Sequence, residues 1–156
     1  MSTVPPADPA ISRLIDLDRF PLHDPTSAAY RTALAAVQAD LDAYGCAVLE
    51  RFVRTEALPG LVAEADRLTP LAHRSFGRTN AYFTQDREDL PHSHPLRRFY
   101  DRSNAFVPAD NFDASSDLRA LYHWAPFAQF IQTALRETAF FPYADPLADA
   151  IVNVTE

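Results

Sequence analysis

Apolar side chains recur at helical spacing between about residues 26 and 44. They are separated by four, three, four and three positions, and they are Tyr30, Leu34, Val37, Leu41 and Tyr44. This spacing places them on one face of an α-helix. Thr26 or Ser27 can cap its N-terminus, and Gly45 can end it in the left-handed conformation. The pattern therefore predicts a helix that begins at Thr26 or Ser27 and ends at Tyr44.

The next two segments predict a strand and a second helix. The run from Cys46 to Val53 is rich in apolar residues, which predicts a strand that buries Cys46 as a small hydrophobic side chain. From about Thr55 to His73, a further apolar stripe predicts a helix, which Pro70 can kink or end early. His73 would then lie at the C-terminus of this helix, where a cation interacts favourably with the helix dipole.

The pattern is weaker between residues 74 and 113. Two short apolar segments, Tyr82-Phe83 and Phe99-Tyr100, are surrounded by polar residues. This pattern predicts a long functional loop region with one or two short strands. Ser115 or Ser116 then caps a helix that ends near Trp124, and Pro126 occupies the first position of a following helix.

The last segment alternates in the manner of a strand. One face carries Ala150, Val152 and Val154, and the other carries Ile151, Asn153 and Thr155. A strand this apolar needs neighbouring strands and a layer behind it, yet only Glu156 follows it. The chain has 13 prolines but only 3 glycines, which indicates that the turn-rich half of a β fold is missing. We therefore interpret the chain as the front part of a larger β-containing enzyme.

Composition and charge narrow the class of protein. A chain of 156 residues can form one domain with a sizeable core, and 47% of its residues are hydrophobic. A net charge of -7 with scattered basic residues argues against nucleic-acid binding. The chain has one cysteine and no signal-peptide pattern, which indicates a cytoplasmic protein. It also has no apolar run of the roughly 20 residues that a membrane span requires. We expect a flexible lead-in over residues 1–25 and a single domain over residues 26–156.

The five histidines form no familiar iron-binding motif. A non-haem iron site commonly uses His-x-Asp or His-x-Glu, and none of the five is followed two residues later by Asp or Glu. His92 and His94 are the only alternate pair, and they lie between Pro91 and Pro95. The pair could bind a metal, but the prolines favour a loop whose histidines form hydrogen bonds or cap a helix. The sequence motifs by themselves assign neither a catalytic residue nor a metal ligand.

Five segments occur in an order that carries a family resemblance. They are Gly45 to Phe52, Glu64 to Leu68, Leu90 to Pro95, Pro142 to Leu147 and Asn153 to Thr155. In this order they resemble the N-terminal half of an Fe(II)/2-oxoglutarate-dependent oxygenase. More narrowly, the chain resembles the bacterial branch that includes hydroxylases and halogenases of free amino acids. The resemblance covers most of the chain from about Thr26 onward.

This resemblance implies an α+β fold, in which N-terminal helices pack on the start of a double-stranded β-helix (jelly-roll) barrel. The barrel would be incomplete in this chain. It also implies that Fe(II) and 2-oxoglutarate activate O₂ for hydroxylation or halogenation of a small molecule such as a free amino acid. The iron ligands and the arginine that pairs with 2-oxoglutarate would lie beyond Glu156, so the 156 residues alone would be inactive.

The resemblance assigns roles to four residues near the end of the chain. Asn153 matches the Asn of an Asn-x-Tyr pair that contacts 2-oxoglutarate, and Thr155 stands where Tyr is common. An edge-strand Asn that bonds a neighbour is the alternative for Asn153. Tyr143 and Asp145 lie where the resemblance places substrate contacts, although Asp145 also precedes a proline in a manner that suits a turn.

A second interpretation is a non-catalytic module that retains only the helical scaffold. Such a protein would act as a binding or assembly partner, and a homo-oligomer would cover the terminal strand. A third and weaker interpretation is a small metal-binding protein that uses His92 and His94. The coding sequence beyond Glu156 would distinguish the first two interpretations.

Overall fold

The computed structural model describes residues 8–155, which form an α+β fold. The helices are α1 (Pro9–Ser12), α2 (Ala28–Tyr44), α3 (Leu58–Leu68), α4 (Asp117–His123) and α5 (Ala125–Ala134). The strands are β1 (His73–Thr79), β2 (Tyr100–Val107) and β3 (Val152–Val154). In this part of the chain, the strands form one antiparallel sheet in the order β1-β2-β3. The prediction of an α+β fold is therefore confirmed.

Residues 8–25 belong to the packed domain. Their buried side chains include Ile11, Leu14, Ile15 and Leu17, which pack against residues of α3 and α4. Phe20 and Leu22 lie in a second core cluster under α2. A flexible lead-in was expected over residues 1–25, whereas in the structure apolar side chains between Ile11 and Leu22 are buried. Residues 1–7 lie outside the described residues.

Helix α2 has the predicted caps. The Ser27 hydroxyl accepts the N–H of Tyr30 at 3.1 Å, and Gly45 ends the helix with φ of 71°. Tyr30 and Val37 are buried as predicted, and the Tyr30 ring packs edge-to-face on Phe130 of α5. Tyr44, the last residue of the stripe, is instead 78% exposed, because α5 does not extend far enough to cover it.

The predicted strand from Cys46 to Val53 was wrong. A turn at Glu50 and Arg51 interrupts the segment, and Val53 alone of its residues forms a bridge, an isolated antiparallel one with Ile15. Phe52 packs between two core clusters, so the apolar residues are explained by packing on helices and not by a sheet. Cys46 is exposed, which corrects its expected burial.

Helix α3 ends earlier than the stripe predicted. A 3₁₀ turn at Thr69–Leu71 contains Pro70 and follows α3 directly, as expected of a residue that cannot continue a helix. His73 begins strand β1, and its ring packs edge-to-face on Phe106. The predicted role of His73 at a helix C-terminus was therefore wrong.

Near β3 the sheet has one covered face and one open face, whereas most of β1 is exposed on both faces. On the covered face, Val107 is fully buried against Leu68 and Phe112, and Val152 and Val154 pack on the same cluster. Side chains alternate along each strand, so Phe106 and Asn153, which are paired in the register, lie on the opposite face. We call this opposite side of the sheet the open face.

Helix α4 has one of the two predicted caps, and α5 begins one residue earlier than predicted. The Ser116 hydroxyl accepts the N–H of Arg119 at 3.0 Å, and Pro126 is the second residue of α5. The Glu64 carboxylate on α3 accepts the N–H groups of Asp117 and Leu118 at 3.1 and 3.3 Å. Glu64 thereby satisfies N–H groups of α4 that have no partner within that helix.

Among the helices of the described residues, none combines the length and the apolar character that crossing a membrane requires.

Candidate functional site on the open face of the sheet

Strand β3 presents Asn153 to the open face. The register pairs Asn153 with Phe106, and the side chains of Val152 and Val154 point to the helices. The predicted alternation is therefore confirmed for Val152, Asn153 and Val154, although the strand is shorter than the segment from residue 150 to 155. Thr155 follows the strand and is exposed.

The Asn153 side chain is available for a ligand. It is exposed, and no hydrogen bond joins its amide to any residue in the described part of the chain. An amide offers a donor and an acceptor that both suit a carboxylate or keto group, so Asn153 fits the 2-oxoglutarate contact that the resemblance implies. Iron lacks such a fit, because no three His, Cys, Asp or Glu side chains within residues 8–155 lie close enough to hold a metal.

Tyr143 and Asp145 lie in the segment that joins α5 to β3. Tyr143 is 63% exposed. The Asp145 carboxylate accepts the N–H of Leu147 at 2.9 Å, and its carbonyl accepts the N–H of Ala148 at 3.1 Å. Asp145 therefore forms a turn, which is the structural alternative to substrate binding. The substrate role of both residues stays a prediction.

His92 and His94 lie in the loop between β1 and β2. The Nδ1 atom of His94 accepts the N–H of Leu96 at 3.2 Å and caps the 3₁₀ turn Pro95–Arg97. This is the predicted capping role for a loop histidine.

A histidine–carboxylate pair fixes the segment before β3. The Nε2 atom of His123 lies 3.0 Å from the carboxylate of Asp149. Beside His123 is an apolar cavity of about 290 Å³, lined mainly by α4, α5, Phe140 and Pro142. The pair thus attaches the lead into β3 to the end of α4.

Asn80 organises the long loop between β1 and β2. Its side chain is fully buried, and the amide donates to the carbonyl of Leu96 at 2.7 Å and to the hydroxyl of Thr84 at 2.9 Å. Its side-chain oxygen accepts the N–H groups of Tyr82 and Thr84 at 3.0 and 3.2 Å. One amide therefore connects both ends of the loop.

The same loop holds Phe83 in an unusual conformation. Phe83 has φ of 55°, a backbone region that bulky residues rarely adopt. Its N–H donates to the Asn80 carbonyl at 3.1 Å. The guanidinium carbon of Arg102 lies 5.2 Å from the centre of the Phe83 ring, which is within cation–π range. The loop thus brings an aromatic ring to the open face of the sheet.

A small cavity lies between this loop and the open face. Its volume is about 210 Å³, and its lining includes Ser75, Gly77, Thr79, Phe83, Arg102 and Asn104. The register pairs Ser75 with Asn104 and Gly77 with Arg102. The sheet and the loop therefore place the Arg102 guanidinium, the Asn104 amide and the hydroxyls of Ser75 and Thr79 around one space, which Phe76 and Arg78 also line.

Arg97 joins two parts of the loop between β1 and β2. Its guanidinium forms two hydrogen bonds with the Asp86 carboxylate, at 2.9 and 3.1 Å, and donates to the Leu90 carbonyl at 3.0 Å. The bond from Arg97 is the main reason that the pKa of Asp86 is lowered. Arg87 has the same effect on Asp89, whose pKa is lowered to about 2.

Acid should weaken this loop. A carboxyl group with a lowered pKa stabilises the fold above its unfolded pKa, and the stabilisation is lost as the pH falls through the folded value. We expect the difference in stability between the wild-type protein and Asp86→Asn to shrink as the pH falls below the ordinary value of 3.8. Urea unfolding at several pH values measures it. A difference that stays constant down to pH of about 2 would contradict a role for the ion pair.

Sequence reasoning did not identify Asn80, Arg97, Arg102 or the pair of His123 and Asp149. Their partners are 2 to 26 residues away in sequence, mostly in irregular segments. A local signal was present in the alternation of Arg102, Asn104 and Phe106, which the prediction of short strands between residues 74 and 113 did not use.

Comparison with protein families, with curated proteins and with solved structures gave no match for this chain.

Proposed function

We propose that the chain is the N-terminal part of an Fe(II)/2-oxoglutarate-dependent oxygenase that acts on a small molecule such as a free amino acid. The observation that supports this most is the position of Asn153. Its free amide lies on the open face of an antiparallel sheet, and residues of α3 and α4 pack on the other face at Val107, Val152 and Val154. The start of a jelly-roll barrel would have this arrangement, with the cofactor on the open side.

In this proposal, Asn153 binds 2-oxoglutarate through its amide, and Thr155 offers a hydroxyl one pleat further along the chain. Tyr143 and Asp145 are assigned to the substrate side. The resemblance places the iron ligands beyond Glu156, and within residues 8–155 no three His, Cys, Asp or Glu side chains lie close enough to hold a metal. When bound, iron and 2-oxoglutarate would supply the O₂ chemistry for hydroxylation or halogenation.

The test uses the product of the full coding sequence. We expect a His-x-Asp, His-x-Glu or His-x-Gly motif after Glu156, followed by a later His and Arg. In that product, Asn153→Ala should weaken 2-oxoglutarate binding by about tenfold, because one or two hydrogen bonds to a charged ligand are lost. Calorimetry with Fe(II) and 2-oxoglutarate under anaerobic conditions measures this affinity.

Gln129→Ala is the matched control, because it removes an exposed amide from α5. It should leave the affinity unchanged. A stop codon directly after Glu156, or equal affinity in Asn153→Ala and the wild type, would refute the proposal for this chain.

A non-catalytic assembly module is the second candidate function. Large apolar side chains are exposed at Phe76, Phe141 and Tyr143, at 80%, 84% and 63%. Strands β1 and β3 are both edges of the sheet in the described residues, and exposed edges pair readily with other chains. If the coding sequence ends at Glu156, a stable homo-oligomer in light scattering would favour this function.

A further inference from the structure

We propose that the cavity beside Arg102 binds a small organic carboxylate. This cavity lies between the open face of the sheet and the loop that carries Phe83. At about 210 Å³, it is smaller than the roughly 300–1,000 Å³ of pockets that bind drug-sized ligands. The site therefore suits a compact molecule, and its chemistry requires neither iron nor 2-oxoglutarate.

Arg102 is a cation that has no acidic partner among residues 8–155. No ion pair or hydrogen bond involves its side chain within residues 8–155, where its contact is with the Phe83 ring. Asp101 is adjacent in sequence, but alternation along β2 places it on the opposite face. The aromatic ring orients the guanidinium without neutralising its charge. An anion that enters the cavity thus meets an uncompensated and positioned positive charge.

Neutral polar groups stand next to this charge. Ser75 and Asn104 face each other across β1 and β2, and neither side chain has a hydrogen-bond partner in the described part of the chain. The Thr79 hydroxyl, by contrast, already donates to the Asn80 carbonyl at 3.2 Å. A planar guanidinium binds both oxygens of a carboxylate at once. The free hydroxyl and amide can then bond the rest of a small polar ligand.

Gly77 leaves room for the ligand. It is the cross-strand partner of Arg102 and lines the cavity. A Cβ atom built on Gly77 would have no atom within 4 Å. Any larger residue at this position would therefore project into the cavity and not into the protein. The space exists because β1 has no side chain opposite Arg102.

The backbone of Phe83 supports the assignment. A bulky residue in the left-handed region costs about 1–3 kcal/mol, and such residues concentrate at ligand sites. The five hydrogen bonds of the buried Asn80 side chain hold the turn that contains Phe83. These hydrogen bonds thereby keep the Phe83 ring beside Arg102, at the cavity.

Benzoate is a suitable probe, because its carboxylate can pair with Arg102 and its ring can contact Phe83. Titration of the 156-residue protein, followed by amide chemical shifts at constant ionic strength, should give a Kd of about 1 mM. The shifts should concentrate at residues 75–79 and 102–104. Benzamide, which has the same shape without the charge, should bind at least about tenfold more weakly.

Three variants test the geometry. Arg102→Gln should weaken benzoate binding at least about tenfold, because a charged pair of hydrogen bonds is lost. Gly77→Leu should abolish binding by filling the cavity, while the amide spectrum stays that of a folded protein. Arg51→Gln removes one exposed positive charge from another part of the surface and should bind benzoate like the wild type.

Several outcomes would overturn the proposal. They are equal affinity in Arg102→Gln and the wild type, shifts that lie outside the cavity, or inorganic phosphate binding as tightly as benzoate. The last outcome would identify a general anion site. Because iron, 2-oxoglutarate and O₂ are absent from these titrations, failure here leaves the oxygenase proposal untouched, and failure of that proposal leaves this one untouched.

Discussion

Replacing Ile15 with alanine should lower the free energy of unfolding by about 2–5 kcal/mol, the range observed when large aliphatic side chains are removed from a core. Ile15 is fully buried, and it forms the bridge with Val53. Its cluster packs against Phe52 and Trp124. The loss would combine the transfer free energy of the missing methyl groups with the cost of a cavity between α1 and the helices.

Urea unfolding monitored by the fluorescence of Trp124, the single tryptophan of the chain, would measure this loss. Val62→Ala is the control, because Val62 is 56% exposed on α3 and its replacement should change stability by less than about 0.5 kcal/mol. If Ile15→Ala costs less than about 1 kcal/mol, residues 8–25 are not the integral part of the core described above.

Replacing Asn80 with alanine should lower the free energy of unfolding by about 3 kcal/mol. The variant leaves the N–H groups of Tyr82 and Thr84 and the carbonyl of Leu96 without their buried partner. Each buried polar group that loses its hydrogen bond costs about 1–3 kcal/mol, and partial access of water to the loop reduces the sum. The loop between β1 and β2 should also lose its fixed shape, so amide hydrogen exchange from residue 80 to 97 should accelerate.

Asn104→Ala is the matched control for this prediction. Asn104 is an exposed asparagine on β2 without a hydrogen-bond partner in the described residues, so its loss should change stability by less than about 0.5 kcal/mol. Asn80→Asp separates the two halves of the network. It keeps an acceptor for Tyr82 and Thr84 but removes the donor to Leu96, and it should also be destabilising at neutral pH. Equal stability of Asn80→Ala and Asn104→Ala would contradict the network.

The two stability predictions and the carboxylate site are connected through the loop. Asn80 fixes the turn that places Phe83 beside Arg102. We therefore expect Asn80→Ala to weaken benzoate binding as well, because the ring would no longer orient the guanidinium. Val62 and Ile15 lie in other parts of the fold. In the folded molecules of Val62→Ala and Ile15→Ala, the cavity beside Arg102 should therefore be unchanged, and so should benzoate binding.

The sequence predicted correctly those elements that are determined by residues close together in the chain. Helix α2 was recognised because its stripe, its Ser27 cap and its Gly45 end all lie within one segment. The same holds for the Ser116 cap and for the end of α3 near Pro70. The alternation of β3 was also recoverable, since opposite faces of a strand follow from the period of the backbone.

Errors occurred where a partner distant in sequence decides the structure. The run from Cys46 to Val53 is apolar whether it pairs with strands or packs on helices, and only the position of Ile15 decides between them. His73 continues an apolar stripe, but pairing with Phe106 places it in a strand. Periodicity cannot distinguish these cases, because it reports which side chains are buried and not what covers them.

The sequence by itself determined the caps of α2 and α4 and the face on which Asn153 lies. Each of these follows from backbone geometry within a few residues, whereas the α+β class was expected only from the family resemblance. Only the tertiary structure decided that residues 8–25 belong to the core, and that Gly77, Phe83 and Arg102 surround one cavity. The physical reason is that the cavity depends on the register of β1 with β2 and on a loop fixed by Asn80. Neither the register nor the loop produces a periodic pattern of apolar residues in the sequence.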